Sequence, residues 1–106
     1  MTVRFKASDV EREVELSNAK ARIVLELLGR DGSGYLEGKM RTSTLGRKLE
    51  ALGSERLDAA VVPSRQLGPD WVDHGTSRAD LDEFVRELRE LVREATERGT
   101  DWVRWS

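Results

Sequence analysis

Residues 77–99 read SRADLDEFVRELRELVREATERG. Leu81, Phe84, Val85, Leu88, Leu91, Val92 and Ala95 recur at steps of three and four, the spacing that gathers side chains on one stripe of an α-helix. Ser77 followed by Asp80 is the S-x-x-D pattern, in which each side chain accepts a hydrogen bond from the other residue's backbone N–H, so the helix opens there. Gly99 closes it, because glycine reaches the left-handed conformation without strain. The predicted helix therefore runs from Arg78 to Arg98. Its other face is almost wholly Arg and Glu, with four-residue pairs at Asp82–Arg86 and Glu94–Arg98. Val85 and Val92 widen the apolar stripe beyond a coiled-coil seam, and fewer than three heptads fit, so the stripe is expected to lie on the chain's own sheet.

On the C-terminal side, Trp102, Val103 and Trp105 predict a strand that reaches back to that sheet, with both tryptophans as core volume. On the N-terminal side, Pro63 to Thr76 is rich in Pro, Gly, Asp and Ser, shows little periodicity, and carries Trp71, Val72 and the single histidine, His74. Loops of that length without regular structure are uncommon in small domains and often functional, which makes Trp71, Val72 and His74 the leading candidate binding surface. His74, Ser77 and Arg78 form a second candidate. They precede or open the long helix, whose first N–H groups and partial positive charge can hold an anion. Arg78 would add charge, and His74 would supply an acid or base near neutral pH. Against this site, Ser77 satisfies some of those donors itself, and Asp73 and Asp80 repel an anion.

Toward the N-terminus, Val3, Phe5 and Ala7 alternate with polar residues, as do Val10, Val14 and Leu16, which predicts two strands joined by a turn at Ser8-Asp9. Ser17-Asn18 supplies a cap for a helix carrying Ala19, Ile23, Val24, Leu27 and Leu28 and ended by Gly29. Tyr35 to Arg41 alternates as a strand. Ser43 or Thr44 caps a short helix with Leu45, Leu49 and Leu52, in which Gly46 costs up to about 1 kcal/mol. Arg56 to Val62, ended by Pro63, is a weaker strand candidate. The expected fold is thus a single α+β domain over residues 1–106, with a mostly antiparallel sheet covered on one face by helices and a terminal strand after the long helix.

Composition narrows the function. The chain has 106 residues, 18 Lys and Arg against 20 Asp and Glu, and a net charge of -2. So even a balance gives no broad attraction to nucleic acid or an anionic membrane, and neither is expected as a partner. Cysteine is absent, which excludes disulfides and thiolate chemistry, and one histidine is too few for a zinc site of ordinary type. The longest apolar run, Ala59 to Val62, is far short of the roughly 20 residues a membrane helix needs, and no apolar stretch follows the N-terminal residues, so a cytoplasmic protein is expected. Asp31-Gly32-Ser33-Gly34-Tyr35-Leu36-Glu37 resembles the middle of a calcium loop, but aligning its turn glycine puts Gly29 and Met40 where the first and last ligands belong. Neither G-x-x-x-x-G-K-[ST] nor G-x-G-x-x-G occurs, and no G-x-S-x-G elbow accompanies His74. No metal or cofactor is expected.

Ser17-Asn18-Ala19-Lys20-Ala21, followed by Leu25, Leu28 and Gly29, resembles the S-N-x-x-A helix opening of a group of short bacterial and phage proteins. Tyr35 to Met40, the Gly75 to Arg78 turn and a C-terminal segment ending in Trp are similar to that group in order. The resemblance implies no chemistry; it implies a phage or bacterial-defence setting.

With no triad or metal signature, the leading expectation is a small non-catalytic binding or regulatory protein that acts through protein–protein contacts, as a monomer or weak homodimer. The alternative is a small enzyme or ligand-binding protein taking an anionic metabolite or nucleotide at the long helix's N-terminus.

Overall fold

The structure is a computed structural model that describes residues 2–29, 37–73 and 75–106, the side chains of 71–73 excepted. Ten elements follow in order: β1 (Thr2–Ala7), β2 (Val14–Ser17), α1 (Asn18–Leu27), β3 (Gly38–Arg41), α2 (Thr42–Glu50), α3 (Ser54–Ala59), β4 (Arg65–Gly68), β5 (Trp71–Asp73), α4 (Arg78–Glu97) and β6 (Trp102–Trp105). This is an α+β fold. Its main sheet has the order β2-β1-β6-β3, antiparallel throughout, and the chain's last strand lies in the middle of it.

The first hairpin forms as its alternation dictates. Val3 faces Leu16 and Phe5 faces Val14, so the buried residues of both strands share one side of the sheet. Asp9 takes φ 63°, a conformation that a short polar side chain tolerates, and the Val10 amide donates to the Ala7 carbonyl to close the turn. Pairing starts at Val14 rather than at Val10. Ser17 caps α1 as expected, its hydroxyl accepting from the Lys20 amide.

α4 lies over the buried side of the sheet with Leu81, Phe84, Val85, Leu88, Leu91 and Ala95 buried. Both halves of its capping box are made: Ser77 Oγ accepts from the Asp80 amide at 3.1 Å, and Asp80 Oδ2 accepts from the Ser77 amide at 3.1 Å. At the other end Gly99 has φ 71°, its amide donates to the Thr96 carbonyl, and the Thr100 amide reaches back to the Ala95 carbonyl. Those two bonds satisfy carbonyls that the helix leaves open and turn the chain into β6. Thr42, buried at the start of α2, donates its hydroxyl to the Thr100 carbonyl and its amide to the Asp101 carbonyl, fixing α2 to the same corner. The close approach of α2 to α4 explains Gly46, where a Cβ would stand 3.3 Å from Val92 Cγ1.

Several expectations are corrected. The strand expected over Arg56 to Val62 is instead helix α3 followed by a turn; Leu57, Ala60 and Val61 keep helical spacing and are buried or half-buried against the core. Arg56 then donates to the Leu27 carbonyl at the end of α1. α2 starts at Thr42, directly after β3 and with no side-chain cap, rather than behind Ser43 or Thr44. The strand expected from Tyr35 is Gly38–Arg41, and residues 35 and 36, with most of the calcium-loop-like stretch, lie outside the described residues. Ile23 and Leu27 are half-buried rather than core. On α4 the ion pairs are Arg78–Asp82 and Arg86–Glu83 in place of Asp82–Arg86, and Glu94 bonds Arg12 at 2.9 Å rather than Arg98. The segment expected as an irregular loop from Pro63 to Thr76 contains a hairpin of its own.

Candidate functional site

That hairpin is built from local chemistry. Pro69-Asp70 makes the turn, and the Gln66 amide nitrogen donates to the carbonyls of Gly68 and Pro69, polar groups the turn would otherwise leave open. Pairing joins Arg65 to Asp73 and Gln66 to Val72, then shifts through a bulge so that Gly68 faces Trp71. Its base is pinned by Val62 and Thr76, which exchange amide-to-carbonyl bonds of 2.9 and 2.8 Å. Gly75 makes this closure possible: it adopts φ 66°, and a Cβ there would lie 2.1 Å from the Val62 carbonyl oxygen.

β4 and β5 form a sheet separate from the main one and pack chiefly on each other. Leu67 on β4 is 46% exposed and Val62 at the base 40%. Val62 also borders a groove of about 400 Å³ lined by Ile23, Leu27, Arg56, Ala60 and Val61, so apolar surface continues from the hairpin base onto α1 and α3. Trp71 and Val72 lie on β5, where their backbone positions are described; His74 lies outside the described residues.

Ser77 and Arg78 are brought to the N-terminus of α4 and are both engaged there. The Ser77 hydroxyl caps the helix, while Asp80 places a carboxylate on the Ser77 amide. Those bonds, with Lys20 3.9 Å away, hold the Asp80 carboxyl below the usual carboxylate range. The Arg78 guanidinium bonds Asp82 at 2.9 Å and Asp58 at 2.5 Å and also donates to the Ser54 carbonyl, which raises its already high pKa and ties α3 to α4. The positive end of the helix thus meets a carboxylate of its own chain.

A further arrangement lies on the open side of the main sheet. Of the two tryptophans expected in the core, Trp105 is buried, tilted against Phe5 with ring centroids 5.8 Å apart, over Gly38, where a Cβ would come within 2.8 Å of its ring. Trp102 is instead half-buried on the sheet's other face. There it meets Lys39 Nζ, 4.6 Å from the ring centroid, and the Arg41 guanidinium, 4.8 Å away. Arg4, Lys6 and Arg104 share this face by strand alternation. The signal was present: each polar-phase position at Arg4, Lys6, Lys39, Arg41 and Arg104 is basic. It is invisible until the strand order brings three separate segments together.

No protein-family model, curated protein or solved structure matches this chain. Among the described residues no group of three or more His, Asp or Glu is placed to hold a metal ion, and no helix is long and apolar enough to cross a membrane.

Proposed function

We propose that this chain is a non-catalytic binding or regulatory protein that acts in the cytoplasm through protein–protein contacts, with the β4–β5 hairpin as its contact surface. The carrying observation is the hairpin itself, a second sheet pinned at one bridge, with Leu67 and Val62 exposed and Trp71 and Val72 on its second strand. Exposed apolar side chains that continue into a groove suit a partner's apolar residues, and aromatic residues contribute heavily at such contacts. The alternative, an anionic metabolite at His74, Ser77 and Arg78, draws less support, because Ser77 and Arg78 already bond Asp80, Asp58 and Asp82.

A photo-crosslinker placed at Leu67 tests this in the native cell, with the half-exposed Glu87 on the flank of α4 as the control position. The expected result is one defined protein adduct from position 67, lost on Trp71→Ala and not formed from position 87. Equal adducts from both positions, or none from either, would overturn the proposal. So would a melting temperature raised by phosphorylated metabolites in the wild type but not in Arg78→Ala, since a ligand of the native state stabilises it by mass action.

A further inference from the structure

The open face of the main sheet carries a pattern that the hairpin does not use. Register places Lys6 opposite Arg104 and Arg104 opposite Lys39, so three cations form a row across β1, β6 and β3. Arg41 faces Trp102 one position along the strands, and Arg4 lies beyond Lys6 on β1. Neighbouring strands are about 4.8 Å apart, and same-face residues along a strand roughly 6.6 Å, so the five cations make a two-dimensional grid. Arg104 has no ion pair among the described residues. Arg4 and Lys6 meet Glu15 and Glu13 at 3.4 and 3.9 Å, both pairs exposed on the β2 side. Exposed pairs of this kind are worth little and are readily exchanged for another anion.

We propose that this face binds single-stranded nucleic acid, its phosphates held along Lys6, Arg104, Lys39 and Arg41. Three of the five cations are arginines, whose planar fork matches phosphate oxygens. Trp102 positions Lys39 and Arg41 against its ring and places a half-exposed aromatic surface inside the basic patch, the pairing of stacking platform and cationic track that single strands use. Antiparallel sheets with one open face and aromatic residues on it serve single-stranded RNA recognition in other folds. A duplex fits less well, since four strands span roughly 14 Å and the major groove is about 12 Å wide. The net charge of -2, from which no nucleic-acid partner was expected, conceals the patch because α4 sets seven carboxylates against four arginines on the other side of the fold.

The test is fluorescence anisotropy of a labelled oligothymidylate of about 12 nucleotides, compared with a duplex of equal length, polyglutamate and phosphatidylserine vesicles. Four phosphate contacts predict that affinity for the single strand falls about 50-fold between 50 and 200 mM salt. The double substitution Lys39→Gln/Arg104→Gln should weaken binding at least about tenfold and flatten the salt dependence, by the loss of two of those contacts. Arg86→Gln on α4 should change neither. Lys6→Gln, on the same row, repeats the test should the double variant melt early. Absence of binding at about 50 mM salt would overturn the proposal. Equal or tighter binding of the duplex, polyglutamate or vesicles, or equal weakening by Arg86→Gln, would do the same.

Discussion

Gly75 occupies a position that a side chain cannot. Its φ of 66° and the 2.1 Å approach of a built Cβ to the Val62 carbonyl mean that Gly75→Ala must open the Val62–Thr76 bridge. The expected cost is more than about 1 kcal/mol, read in thermal melts, with faster amide exchange at Thr76. Asp80 makes a second prediction, about pH. Its folded carboxyl is held low by the Ser77 amide, so its contribution to stability is complete above the ordinary unfolded value of about 3.9 and disappears as pH falls through the lower folded value. The wild type should therefore lose stability more steeply below about pH 4 than Asp80→Asn, measured by urea unfolding across that range. Ser77 and Asp80 were legible from spacing alone, because a capping box is local chemistry. Gly75 was not, since the carbonyl it must avoid lies thirteen residues earlier in the chain and is brought near only by the hairpin.

Among the elements, α4 carries the most buried apolar residues, and Leu88 at its centre is fully enclosed. Leu88→Ala should cost about 2–5 kcal/mol, the range for removing a large core side chain, whereas Arg86→Gln on the exposed side should stay within about 0.5 kcal/mol. Paired urea titrations check both. The first hairpin and α4 could be read from periodicity because each buries one clean face, whereas α1 turns Ala21 and Leu25 inward with Val24 and leaves Ala19, Ile23 and Leu27, expected on its stripe, exposed or half-buried. α3 could not: six residues with a single buried leucine offer barely two turns of pattern, and the neighbouring Val61 and Val62 favoured a strand on composition. The β4–β5 hairpin was equally hidden, since the shift between Gln66 and Gly68 breaks the alternation by which strands are recognised. The segment still stands out in the sequence, because its Pro, Gly, Asp and Ser residues and its lack of periodicity surround Trp71, Val72 and the single histidine.

At the scale of the whole molecule the fold sorts charge that the linear sequence mixes. Arginine and glutamate alternate along the outer side of α4, while the sheet's open face collects lysine and arginine from β1, β3 and β6. This sorting depends on β6, the final strand, lying between β1 and β3, a placement set by pairing across nearly the full chain. It also depends on α4 spending its apolar side inside its own chain, which leaves the opposite sheet face open. Native-state amide hydrogen exchange over a wide dilution series tests that dependence most directly. The amides of α4 from Leu81 to Ala95 and of β6 should be the slowest to exchange, opening together at the free energy of global unfolding and independently of protein concentration. Protection of α4 that grows with concentration, or that is lost while β6 stays protected, would contradict the account.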